Sequence, residues 1–100
     1  MATHVILTVA DARAAANAWL LDHLPDRFAA GIPAYEPAHE TWRIPVWLAY
    51  PGLEPLGPVG ELGVDAVSGE VQTHTPLAQM KTQALHLYDQ HRVAIDASLS

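Results

Sequence analysis

A chain of 100 residues, half of them hydrophobic and three of them Trp, is long enough for one modest core and too apolar for intrinsic disorder. Eleven acids against five bases give a net charge of −6. The bases Arg13, Arg27, Arg43, Lys81 and Arg92 are scattered, which argues against nucleic-acid binding, since a phosphate backbone needs a basic patch. There is no cysteine, so disulfides, thiolate metal sites and a Cys nucleophile are excluded.

The start of the chain, Met1-Ala2-Thr3-His4, lacks the basic region of a signal peptide, and no run approaches the ~20 apolar residues of a membrane span. The expected location is the cytoplasm, with no membrane contact. The spacing Thr8…Asp11 has capping-box form and predicts a helix starting near Thr8. Ala12, Ala16, Trp19, Leu20, His23 and Leu24 then recur at three and four, one helical face. Residues 3–7 offer a short strand as the alternative, because Val5-Ile6-Leu7-Thr8-Val9 is β-branched and apolar, and the mostly helical or frayed start is preferred. Pro25 ends the helix, and Asp26–Ala30 reads as one extra turn stopped by Gly31.

Residues 31–40 carry Gly31, Pro33 and Pro37 and read as loop. A strand follows, with Trp42, Ile44, Val46, Leu48 and Tyr50 on one face and Arg43, Pro45, Trp47 and Ala49 on the other. Pro45 cannot donate to a ladder, which predicts an edge strand or a bulge. Pro51–Gly60, rich in Pro and Gly, reads as a second loop. Leu62–Val67 and Glu70–Thr73 flank Ser68-Gly69 as a hairpin, with Gly69 supplying the positive φ of a tight turn. Thr75-Pro76 opens a last helix whose stripe is Leu77, Met80, Ala84, Leu87, Tyr88, His91 and Ile95. The expected fold is one α+β domain over residues 1–100: an N-terminal helix, a three-stranded antiparallel β-meander and a C-terminal helix.

The chemistry-bearing residues do not assemble by spacing. Six histidines invite a metal, but His86 and His91 point about 140° apart around a helix, and His4, His23, His39 and His74 are isolated. His86 and Asp89 share a helix face, which is two ligands and not a site. Ser68 sits in a turn, and Ser98 and Ser100 lie at the end of the chain. None has the strand-to-helix setting of an activated serine. Asp22 and Asp26 are separated by the helix-breaking Pro25. Glu61 and Asp65 fall roughly 13 Å apart along a strand, too far for a carboxylate dyad. Gly57, Gly60, Gly63 and Gly69 precede no phosphate-binding helix.

Trp42-x-x-x-Val46, followed by Val64-Asp65-Ala66-Val67-Ser68-Gly69-Glu70-Val71, resembles the PepSY domain over about Thr8 to Thr73. Ser68 stands where that family usually has Thr. The resemblance implies a helix with a three-stranded antiparallel sheet, acting as a binding or inhibitory module, and it brings no catalytic residues to transfer.

The expectation is a non-catalytic protein-interaction module without cofactor or metal: an inhibitor, antitoxin-like protein or accessory subunit for a basic partner, or a homodimer. Trp42, Trp47 and Tyr50 are the candidate contact surface, since an exposed Trp beside Pro45 is an anchor type. The alternative is a small-molecule or metal-binding domain using the aromatic and His residues.

Overall fold

The computed structural model describes residues 6–25, 27–50 and 52–99. Helix α1 runs Val9–His23, and Thr8 caps it, its hydroxyl accepting from Asp11 N at 3.1 Å. Ala12, Ala16 and Leu20 are buried at a spacing of four, and the small alanines let the helix lie close to the sheet. Leu24 closes the helix through its N–H to the Leu20 carbonyl, and Pro25 follows.

Five strands make one sheet: β1 Phe28–Ala30, β2 Ala34–Glu36, β3 Thr41–Leu48, β4 Gly57–Asp65 and β5 Val71–His74. The order is β1-β3-β4-β5, with β2 pairing with β3 further along the same side as β1. β3, β4 and β5 are the expected antiparallel meander. The strand count is five and not three, and each discrepancy has a physical source. Phe28–Ala30 reads locally as a helical turn, but Phe28 and Ala30 both point into the core and the segment pairs with Val46–Leu48. Asp26, the start of that supposed turn, lies outside the described residues. Ala34–Glu36 sits between prolines and is held by pairing with Thr41–Arg43, which no local pattern announces.

β4 begins inside the segment read as loop. Its Gly57 and Gly60 oppose Leu48 and Val46 on the inner face. A Cβ at Gly57 would meet Leu87, and one at Gly60 would come within 2.8 Å of Met80 Cγ and Thr75 Cβ. These glycines are there for helix packing, not for chain reversal.

Helix α2 spans Leu77–Leu99. Thr75 precedes it, but its hydroxyl accepts from Glu61 N at 3.0 Å and so ties the helix start to β4. Met80, Ala84 and Leu87 are buried over β4, and residues 88–99 continue beyond the first residue of that strand, with Ile95 buried. The radius of gyration is 15.0 Å and the extents are 58 × 24 × 21 Å, against about 13 Å for an average domain of this length.

Pro45 is not on an edge, because β3 is paired on both sides. Its carbonyl accepts from Gly31 N at 2.8 Å, and the return bond from residue 45 is the one proline cannot make. That gap falls where the neighbouring chain passes from β1 to β2, so the missing donor and the strand break coincide.

Candidate interaction face

The two helices lie on the same side of the sheet. α1 packs against β1, β3, β4 and β5, α2 packs against β4, and the buried residues of both join Ile44, Val46, Leu62 and Val64 in one core. β3 alternates accordingly. Trp42, Ile44, Val46 and Leu48 are buried beneath the helices, while Arg43, Pro45 and Trp47 face the other way. No described element covers that outer face.

Register defines the outer face. Arg43 lies opposite Gly63, Pro45 opposite Glu61, and Trp47 opposite Pro58 on one side and Ala29 on the other. Gly31 is required here, because a Cβ on it would strike the Trp47 indole and the Pro45 ring. The Nε1–Cδ1 edge of the indole therefore lies close against Gly31 in the β1–β2 connection. Beside it, a shallow depression of about 670 Å³ includes Ile32, Ala49 and Pro55. Ile32 is 78% exposed.

The other end of the face is polar. Arg43 Nη2 donates to Glu61 Oε1 at 2.6 Å, and its Nη1 lies 3.6 Å from Glu36 Oε2. His39 Nδ1 in turn lies 2.7 Å from Glu36 Oε1. The hydrogen bond and charge of Glu61, with Glu36 behind it, hold the Arg43 guanidinium further above its ordinary pKa. With Arg13 and Glu54 at the apolar end, the two depressions on this side carry two Arg and three Glu, nearly balanced in a chain of net charge −6.

The edges differ. The outward N–H of Ala30 in β1 donates to Asn17 Oδ1 at 2.9 Å, and its carbonyl accepts from Arg13 Nε at 3.1 Å. Side chains from α1 thus occupy hydrogen-bonding groups that an added strand would use. β5, at the other side of the sheet, is four residues long.

The three aromatics singled out in the sequence are not brought together. Trp47 is half-buried on the outer face. Trp42 is in the core, its Nε1 donating to the Leu7 carbonyl at 3.2 Å and its ring against Tyr35. Tyr50 stands past the end of β3, against Tyr88 of α2, with the Arg27 guanidinium 5.1 Å from its ring centre. Ile32 and Glu36 were not singled out, Gly31 was read only as a stop signal and Glu61 only as half of a carboxylate pair. The Arg43/Pro45/Trp47 alternation was the hint at their surface.

Among the described residues no three His, Asp or Glu side chains converge as a metal site would need. His23 stacks on Trp19, with His74 on the same indole. His86 pairs with Gln90, and His91 with the Leu87 carbonyl. His4 lies outside the described residues. No described helix is long and apolar enough to cross a membrane.

In comparison with known proteins, no family model, no curated protein and no solved structure matches this chain.

Proposed function

We propose that this protein is a non-catalytic interaction module of the cytoplasm, docking another protein chain through the outer sheet face around Trp47. The single observation that carries the reading is that both helices lie on one side of the sheet. The opposite side presents Trp47, Pro45 and Ile32 with no described covering, and an apolar patch rimmed by charge is the usual form of a protein contact.

A second copy of the chain fits this face best. Its Arg and Glu residues nearly balance, so two copies related by a two-fold axis can bring opposite charges together. A basic partner answers the excess acidity of the whole chain, but that excess lies mostly off this face. A PepSY-like inhibitory or accessory role, or an antitoxin-like one, is compatible with the same surface when the second chain is a different protein.

An NMR dilution series tests the reading with an internal control. The Trp47 indole Nε1–H resonance should shift with protein concentration, while that of Trp42, which donates to the Leu7 carbonyl inside the fold, should stay put. Invariance of both, or a shift confined to Trp42, would overturn docking between two copies.

A further inference from the structure

The charges of the outer face are used differently at its two ends. At the polar end Arg43 is already held by Glu61 and Glu36. At the apolar end Arg13 donates through Nε to the Ala30 carbonyl, and its guanidinium meets no carboxylate among the described residues. Glu54, exposed in the β3–β4 connection, pairs with no described group. Both side chains line the depression beside Trp47, yet they do not bridge to each other. Ile32, 78% exposed, stands in the wall of the same depression, with Pro45, Ala49 and Pro55 among its other walls.

A projecting aliphatic side chain, a hollow able to receive one, a spare cation and a spare anion thus share one patch. Each feature has its complement on the same surface, which is what a two-fold contact between identical chains requires. A uniformly basic partner would set like charge against Arg13, and a uniformly acidic one against Glu54. Resting on the reading that the outer face is the docking surface, we infer that two copies join there in one register. Ile32 of each copy seats in the other's depression against the partner's Trp47, and Arg13 of each pairs with the partner's Glu54. The aliphatic insertion forms the dry centre of the contact, and the two ion pairs at its rim fix the register. The depression is therefore completed by the second copy, which supplies the side chain that fills it.

Reciprocal charge reversal on the full chain, read by sedimentation equilibrium, tests the register. Arg13→Glu alone puts two carboxylates at each rim contact, and Glu54→Arg alone puts two guanidinium groups there, so each should weaken self-association at least tenfold. Mixed in equal amounts, the two variants carry opposite charges at every contact, and the mixture should form a one-to-one dimer with the wild-type affinity restored. Glu54 is exposed in a connection, so Glu54→Arg should fold normally. Arg13→Glu also removes the bond to the Ala30 carbonyl, so a second measurement uses wild type alone. In a dimer of one ¹³C-labelled and one unlabelled copy, isotope-filtered NOEs should connect the Ile32 methyl groups of one copy to the Trp47 indole of the other. A wild type that stays monomeric would overturn outer-face docking and this register together. A dimer that Trp47→Arg dissolves, but that Glu54→Arg does not weaken, or that shows no Ile32–Trp47 NOE between copies, would leave outer-face docking standing and overturn the register alone. A mixture of the two folded charge variants that fails to pair would do the same.

Discussion

Asp65 holds the β4–β5 turn together. Its carboxylate accepts from the backbone N–H of Val67 and of Ser68, both at 2.8 Å, and from Gln72 Nε2 at 2.9 Å. Those bonds, the one from Ser68 N–H foremost, hold its pKa below the ordinary 3.8. A carboxyl depressed in the folded state stabilises the fold above its unfolded pKa, and that contribution is lost as pH falls through the folded value. Asp65→Asn should therefore melt below wild type at neutral pH, with the difference closing as pH falls below 3.8. A difference that stays constant down to acid unfolding would contradict this. In the same turn Gly69 has φ +78°. Gly69→Val should lower stability by about 1–3 kcal/mol, because a β-branched residue resists positive φ. Equilibrium denaturation reads this directly, and an unchanged midpoint would mean a different turn geometry.

At the scale of elements, the strongest dependence is that of α2 on the glycines of β4. A methyl group at Gly60 would press on Met80 and on Thr75, the residue that ties the helix start to Glu61. Gly60→Ala should cost about 1–3 kcal/mol by overpacking, seen as a lower urea midpoint. A midpoint equal to wild type would show that α2 is not seated there. The same contact explains what was legible in the sequence. Both helices, the inward stripe Trp42-Ile44-Val46-Leu48 and the 62–73 hairpin were visible, because each follows from local periodicity or turn chemistry. The first half of β4 was not, because Gly57, Pro58 and Gly60 signal a loop locally and are selected by a helix that arrives some twenty residues later in the chain. β1 and β2 were hidden for a related reason, since three-residue strands have no room for a pattern and exist through pairing with β3. Pro45 was read as marking an edge strand or a bulge; β3 is not an edge, and a register shift against β4 does fall next to Pro45, between Val46 and Trp47. Its physical consequence, a ladder bond that cannot form, is present, but it appears as a break in the neighbouring strand.

At the scale of the molecule, the arrangement is one-sided. One sheet face is buried by both helices, and the other carries a half-buried indole, a proline and an exposed isoleucine next to an ion-pair network of Arg43 with Glu36 and Glu61. The candidate surface was half legible in the sequence. Alternation placed Trp47 opposite the core residues, but separating it from Trp42 and Tyr50, with which it was grouped, required knowing which side the helices cover. Edge-to-edge growth of the sheet is opposed at β1, where Asn17 and Arg13 occupy the backbone groups of Ala30. The proposed association through the face places Trp47 at the centre of the contact. Arg at that position would bring an unpaired charge into an apolar contact while leaving the helical core untouched.

Sedimentation equilibrium at tens of micromolar, on wild type and on Trp47→Arg, is the most direct test. Wild type should be a species of twice the monomer mass of 10.8 kDa, and Trp47→Arg should stay folded and sediment as monomer. Wild type at the monomer mass, or a Trp47→Arg variant that still dimerises, would contradict the account.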